Sequence, residues 1–354
     1  MFKYSKLKNL HLEITNRCQA ACPMCSRNYR GEIDNPYLKI SDWTLNEFNQ
    51  IVNDDLKAQL SKIMFCGNYG DPLLNQDFHL MVESLNHFDI FVDVHTNGSL
   101  RSVEYWANLA KIMPPQHRVV FAIDGLADTH AIYRRGTDYQ KILDNAKAFI
   151  DAGGNADWSF IRFKHNAHQV YAAKQTAQNL GFKNFSVKDS SRFVFEPVFP
   201  VLDKNENVLY NLEKAPAASI EFFDATDLTK IEEVVNSSNI SCQAQHANEI
   251  YIDAHKTILP CCFLAVIPYE YYRKEDNLSQ ANRVIKKQYA ELVEKLGDTN
   301  ALQGIETVLE KDSFQSVWEY YWNTKKLWTC SRTCGKILAS PTDNFTDYQS
   351  LTST

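Results

Sequence analysis

The sequence predicts an α/β chain in which a parallel sheet of strand–helix repeats is followed by a smaller unit bound together by cysteines. Three observations carry this. Between residue 10 and about residue 190, six short strand patterns alternate with five amphipathic helical patterns, which implies right-handed parallel βαβ units. The nine cysteines form two sets, one near each end, with Cys66 apart. The composition, 44% hydrophobic and 23% charged over 354 residues, is that of a globular chain long enough for one large and one small domain.

Strands are read at 10–15, 62–67, 90–96, 118–124, 157–164 and 184–190, and helices near 43–54, 77–87, 102–112, 138–152 and 169–180. The helix at 138–152 is typical: Ile142, Ala146, Phe149 and Ile150 recur on one face, and Gly153-Gly154 supplies the stop. In such sheets ligands bind beyond the carboxyl ends of the strands, so the loops there are the place to look for chemistry. No run of 18 apolar residues argues for a membrane span, and the N-terminus lacks the apolar core of a secretion signal. A cytoplasmic location follows as the expectation. A net charge of −6 with no basic block excludes duplex nucleic acid as an expected partner.

The first loop holds the densest signal. Leu12-Glu13-Ile14-Thr15-Asn16-Arg17 leads into Cys18, Cys22 and Cys25, three thiols within eight positions. Soft ligands suit an iron–sulfur cluster or zinc better than a hard cation. Zinc would want a fourth ligand, and the loop's Gln, Ala, Pro and Met do not offer one. Cys66, in the strand-like Lys62–Gly67, reads as core packing, since free cysteine is among the most buried residue types.

The spacing Cys-x3-Cys-x2-Cys resembles the signature of the radical S-adenosylmethionine (radical SAM) enzymes. The resemblance implies an incomplete (β/α)6 TIM-like barrel, open on one side, over residues 8–195. It also implies a 4Fe-4S cluster on Cys18, Cys22 and Cys25, with one iron chelating the methionine moiety of S-adenosylmethionine. Reductive cleavage then gives a 5′-deoxyadenosyl radical that abstracts hydrogen from substrate. Further motifs match in order. Gly67-Asn68-Tyr69-Gly70-Asp71-Pro72 resembles the family's Gly-Gly-Glu-Pro, with Tyr69 and Asp71 replacing the first Gly and the Glu, and implies cofactor contacts from Gly70, Asp71 and Pro72. Thr96-Asn97-Gly98 is similar to a Thr-Asn-Gly ending near the cofactor's ribose. Asp124-Gly125, His130 and Arg134 resemble a Ser-x-Asp-Gly…His…Arg pattern, with Ala122 where many relatives carry Ser. Asp124 and Arg134 are the implied cofactor residues, Arg135 being the alternate by one register.

Beyond these, Lys164, His165 and His168 at the fifth strand's end could face substrate or be structural, and Asp189 and His165 are candidates for a general base by position alone. Residues 196–240, with Pro197, Pro200, Pro216 and an acidic run from Glu213 to Glu233, read as a linker with one helix bridging the barrel's open side. Then comes Cys242, a hairpin over 249–262 ending in Cys261-Cys262, a helix at 313–327, and Cys330-x3-Cys334. This resembles the SPASM and twitch auxiliary-cluster extensions, placed at 241–340. It implies one auxiliary 4Fe-4S cluster on Cys242, Cys261, Cys330 and Cys334 rather than the two of a full SPASM domain. Cys262 is the alternate to Cys261, a four-cysteine zinc site remains open, and Lys256 stands where the turn usually has Gly. Tyr269, Tyr271, Tyr272, Tyr320 and Trp322 read as packing.

The resemblance implies an electron donor such as flavodoxin or ferredoxin and a peptidyl substrate. The alternatives are a small molecule, nucleoside or sugar as substrate, or a non-catalytic iron–sulfur or zinc scaffold.

Overall fold

Short runs of alternating side chains become strands because one face of each can be buried beneath a helix. In the computed structural model, which describes residues 2–193, 196–216, 228–267, 279–335 and 345–351, these are β1 (Asn9–Leu12), β2 (Lys62–Phe65), β3 (Phe91–Thr96), β4 (Arg118–Ala122), β5 (Ala156–Arg162) and β6 (Asn184–Asp189). They pair in that order and all in parallel. The connections run through α1 (Leu45–Ile51), α2 (Asp54–Gln59), α3 (Phe78–Glu83), α4 (Val103–Ile112), α5 (Tyr139–Asp151) and α6 (Val170–Leu180). The expected single helix at 43–54 is two. Thr44 and Glu47 form a reciprocal capping box for α1, and the Asn53 side chain then accepts from Leu56 N to start α2.

Side-chain alternation sorts each strand into an outer and an inner face. Ile63 and Phe65, Val92 and Val94, Val119 and Phe121, and Trp158 and Phe160 are buried in the core under the helices. The opposite positions face the barrel interior, and Cys66 is one of them. It does not join the apolar core as its residue type suggested. It is half-buried, with Glu13, Asp71, Asp93 and Lys188 from other strands and loops as its charged neighbours, and burial pushes its thiol up to about 12.

The inner face carries an ion network. Asp93, 1% exposed, accepts from Arg118 Nε and Nη2 at 3.0 and 2.7 Å and pairs with Lys62 Nζ at 2.9 Å. Arg118 also reaches Asp157, which accepts from Asn184. Burial alone would raise the Asp93 carboxyl, but His95 and Arg118 hold it well below the usual carboxylate range.

The next segment stands outside that sheet. Residues 196–216, read as linker, fold instead into an antiparallel hairpin, β7 (Val198–Leu202) and β8 (Val208–Glu213). The one expected helix follows as α7 (Leu228–Ser237). Beyond the six expected strands the main sheet continues on both sides. The hairpin expected near 249–262 forms as β9 (Glu249–Ile252) and β10 (Ile258–Leu259), with β9 lying parallel against β1. At the far edge a strand at Phe345–Ser350, β11, pairs antiparallel with β6. The barrel's sheet therefore has nine strands among the described residues, in the order β10-β9-β1-β2-β3-β4-β5-β6-β11.

The C-terminal part adds α8 (Gln280–Leu296), α9 (Asp312–Asn323) and α10 (Trp328–Cys334). The helix expected over 313–327 stops at Asn323, and both late cysteines ride on the separate α10. At the break, the Gln288 side chain of α8 accepts from Trp328 N, and Lys326 Nζ caps the carbonyls of Asn236 and Ser238 at the end of α7. Trp322 packs in the core as read, whereas Tyr320 is 39% exposed with Lys295 over its ring. Tyr269, Tyr271 and Tyr272 lie outside the described residues. No helix among those described is long and apolar enough to cross a membrane.

Replacing Asp93 with Asn removes the anion of Lys62 and the nearer of the two anions of Arg118, and should cost about 3 kcal/mol, read as a lowered urea midpoint. Because the folded carboxyl is depressed, its contribution is present above the unfolded value near 4 and lost as pH falls below it. The acid limb of the stability curve should therefore be shallower in Asp93→Asn than in the native chain.

Candidate functional site

The four sequence motifs meet above the carboxyl ends of β1 to β4, and hydrogen bonds between their loops hold them there. β1 runs out through Glu13 into the cysteine loop. Asp71 N donates to Arg17 O at 2.8 Å, and the loop after β2 presses so closely on the first that a Cβ on Gly70 would stand 1.7 Å from Thr15 O. Gly70 is thus demanded by backbone-to-backbone approach, and its own N–H donates to Glu13 Oε1 at 2.9 Å. Pro72 opens a single 3-10 turn whose N-cap is Asp71.

Asp71 is 4% exposed and acts as a bracket. Its carboxylate accepts from Thr96 Oγ1 at 2.9 Å, Asn97 N at 2.8 Å and Asn97 Nδ2 at 2.6 Å, so the second loop fixes the end of β3. Asn97 in turn touches the cysteine loop, accepting from Gln19 Nε2 at 2.7 Å and donating toward Cys18 Sγ at 3.8 Å. Burial raises the Asp71 carboxyl, although Asn97, Leu73 and Thr96 oppose it.

Asp124, fully buried at the end of β4, accepts from Arg134 Nε at 2.5 Å and from Ile161 N at 2.6 Å. Asp124 N is in turn held by His130 Nδ1 at 3.2 Å, and burial lowers that imidazole to about 3, which leaves it neutral. His130 is therefore a support for Asp124. Of the two candidate arginines, Arg134 lies beside Cys22 and Asp124, while Arg135 pairs with Glu32 on the cysteine loop's far side. Burial works against the Arg134 charge, and Asp124 and Cys22 more than restore it.

Cys18, Cys22 and Cys25 are free thiols within electrostatic reach of one another. Cys22 is 8% exposed, and burial raises both it and Cys18, while Arg134 and Arg192 draw Cys22 back down. Arg192, after β6, donates to Met24 O and pins the loop. A second apolar cluster wraps the same loop: Cys22 and Met24 pack with Tyr133, Phe163, Phe193, Val201 and Leu212. Val201 and Leu212 belong to the β7–β8 hairpin, which also bonds to Arg30 and Glu32 through Leu202 and to Lys164 through Glu213. The segment expected as a linker is thus a cover over the cysteine loop and the end of β5.

Cys242, Cys261, Cys330 and Cys334 form the second set, each an electrostatic neighbour of others in it. Cys330 and Cys334 lie one turn apart on α10, on one helix face. Cys261 has Cys242 and Cys334 among its electrostatic neighbours, and Cys262 is one for Tyr251. Burial pushes Cys242 up to about 11 and Cys261 to about 12, so these thiols become thiolates only beside strong positive charge. The nearby turn places Lys256 at φ 68°, the left-handed conformation that glycine would take freely, and Lys256 Nζ is anchored on Glu47 at 2.9 Å. Among the described residues, no three His, Cys, Asp or Glu side chains close in on the point of a single metal ion.

The general-base candidates lie to one side of these motifs. Asp189 is held bidentately by Arg162 at 2.8 and 3.0 Å. His165 stacks on Phe163 with ring centroids 5.4 Å apart, and burial lowers it to about 4. Lys164 pairs with Glu213, and His168 is exposed.

The radical SAM superfamily model matches residues 12–187, from the end of β1 to the middle of β6. The chain belongs to the radical SAM superfamily, a family of enzymes. It is 32% identical over 175 residues to the GTP 3′,8-cyclase of Acidothermus cellulolyticus, covering 46% of this chain and 43% of that protein. It is 25% identical over 161 residues to the PqqA peptide cyclase of Bradyrhizobium diazoefficiens, covering 45% and 40%. The aligned stretch covers less than half of the length of each of these two relatives. Among solved structures, native anSMEcpe with bound AdoMet and Cp18Cys peptide aligns over 92% of this chain and 88% of its own, with a TM-score of 0.51 at 14% identity, a likeness of fold.

Sequence reasoning missed Glu13 as a functional group. It is 2% exposed, accepts from Tyr69 N at 2.7 Å, Gly70 N at 2.9 Å and Tyr251 OH at 2.5 Å, and burial pushes its carboxyl up to about 7 despite those donors. The available signal was a carboxylate that continues the polar alternate positions of Asn9 and His11 at the end of β1.

Two stability measurements test this geometry. Gly70→Ala must displace the Thr15 backbone and should lose about 3 kcal/mol in denaturant unfolding. The raised Glu13 carboxyl makes the folded state bind an extra proton between about pH 4.5 and about pH 7, so its contribution to stability falls as pH rises through that window. Glu13→Gln should flatten that part of the pH–stability curve.

Proposed function

We propose that this chain reductively cleaves S-adenosylmethionine at a 4Fe-4S cluster held by Cys18, Cys22 and Cys25, and uses the radical to modify a peptidyl substrate. The observation that carries the reading is the meeting of three mutually close thiols with Asn97, Asp124 and Arg134 above four successive strands. When bound, the cluster supplies the electron for cleavage, and the cofactor supplies the hydrogen-abstracting carbon radical.

The chain's own residues have distinct tasks in this reading. Cys18, Cys22 and Cys25 are the ligands. Asp124 occupies Arg134 through Nε, which leaves the terminal guanidinium nitrogens for the cofactor's carboxylate and offsets the absent serine at position 122. Asn97 presents its amide beside Cys18, and Asp71 orients it. Gly70 and Pro72 shape the loop that lines the methionine end. The β7–β8 hairpin and Phe163 exclude water from the cysteine loop.

The second set, Cys242, Cys261, Cys330 and Cys334, is read as holding an auxiliary 4Fe-4S cluster. A single zinc, with Zn–S near 2.3 Å, would need the four sulfurs drawn in to separations of about 3.8 Å. Electrons would come from an external one-electron donor such as flavodoxin or ferredoxin. The peptide assignment is supported by the PqqA peptide cyclase match and by the peptide bound in the anSMEcpe structure. A nucleotide substrate is the second reading, favoured by the higher identity to the GTP 3′,8-cyclase.

Anaerobic reconstitution should give about eight irons per chain, falling to about four when Cys330 and Cys334 are replaced. Dithionite-reduced protein should release 5′-deoxyadenosine, and Cys18→Ala, Cys22→Ala or Cys25→Ala should each abolish it. A chain that takes up iron but yields no 5′-deoxyadenosine would be a scaffold. Peptide or nucleotide is then decided by which deuterated substrate class passes its label to 5′-deoxyadenosine.

A further inference from the structure

The loop after β2 is held from three directions at once. Toward the first cysteine set, Asp71 N bonds to Arg17 O, and Cys25 Sγ donates to Asn68 O at 3.8 Å. Toward β1, the N–H groups of Tyr69 and Gly70 both end on Glu13. Toward the second cysteine set, Asn68 Nδ2 donates to Cys262 O at 2.9 Å, and Tyr69 OH donates to Val266 O at 2.6 Å and lies 3.4 Å from Ala265 O. Tyr69 is 4% exposed and stands where the resembled motif has glycine, which has no side chain to make this reach.

The receiving segment is a single helical turn, Cys262–Ala265, with Cys261 as its N-cap. One turn does not hold itself together in water, so its order depends on the burial of Leu264 and Ala265 in the core and on what fastens its ends. One end is fastened by Cys261 among the other three thiols, the other by Tyr69.

We infer that Tyr69 and Asn68 are positioning residues that couple the two cysteine sites, so that filling the C-terminal site steadies the loop that lines the first site. This rests on the reading of both sets as cluster sites. It goes further in assigning a linkage and the atoms that carry it: the Tyr69 hydroxyl to Val266 O and the Asn68 amide to Cys262 O. Linkage of this kind is reciprocal, and typical couplings correspond to a change of about five-fold or more in affinity.

The test is a double-mutant cycle read by binding. S-adenosylmethionine affinity is measured by equilibrium dialysis on reconstituted, unreduced protein for the native chain, Tyr69→Phe, Cys330→Ala and the pair combined. Both single changes should weaken binding by about five-fold or more, and the combination should weaken it no further than either alone. Hydrogen exchange over residues 67–72 should quicken to a similar degree in both single variants. Should Cys330→Ala not fold, Cys334→Ser at the half-buried end of α10 takes its place, and Asn68→Ala supplies a second probe of the loop. Unchanged affinity in Tyr69→Phe at full iron content, or losses that multiply in the double variant, overturns the coupling alone. About four irons in the native chain, or no binding of S-adenosylmethionine by it, overturns the underlying two-cluster reading and the coupling with it.

Discussion

The Glu13 carboxyl is the joint on which the rest turns. It sits where β1 ends, is nearly without solvent, and gathers two backbone N–H groups from the loop after β2 and the hydroxyl of Tyr251 from β9. A buried carboxyl is costly unless its acceptor capacity is filled, so its three donors are held in place by that requirement. Residue 13 thereby decides how the second loop lies, and with it where Asp71 can reach. Asp71 then sets Asn97, and Asn97 meets Cys18 and Gln19. The chain of bonds runs from a strand end to a thiol without a break.

A second constraint is dryness. The cysteine loop has little apolar content of its own beyond Met24, yet Cys22 is buried. The burial comes from Phe163 and Phe193 in the loops after β5 and β6 and from the hairpin residues Val201 and Leu212. Apolar walls raise the thiols, and the nearby guanidiniums of Arg134 and Arg192 work the other way on Cys22. A site so built favours a positively charged centre that turns buried thiols into thiolates, and it keeps water from what is bound there.

The chain departs from the resembled family patterns at defined points, and each departure has a local compensation. Tyr69 replaces a glycine and reaches across to Val266. Lys256 adopts the backbone conformation of the glycine usual in its turn, a cost of order 1–2 kcal/mol, and its ammonium is held by Glu47. Ala122 lacks a hydroxyl, and Arg134 is fixed by Asp124. In each case the departure is tied into a defined contact: Tyr69 to a backbone carbonyl, Lys256 to Glu47 and Arg134 to Asp124.

Strands, most helices, the cysteine sets and the loop motifs were legible in the sequence because their signals are local: side-chain period, capping residues, and close spacing of like ligands. The six strands and the connecting helices lie within a few residues of where periodicity puts them, and Asp124, Arg134 and Asn97 fall where their motifs lead. The sequence alone therefore determined the barrel and the family of chemistry. Only the tertiary structure decided that Cys66 looks into the barrel, that residues 196–216 cover the cysteine loop, and that Glu13 and Tyr251 meet. Those facts depend on which face of one element another element covers, and that is set by long-range packing and by the need to satisfy buried polar groups, neither of which leaves a periodic mark in the chain.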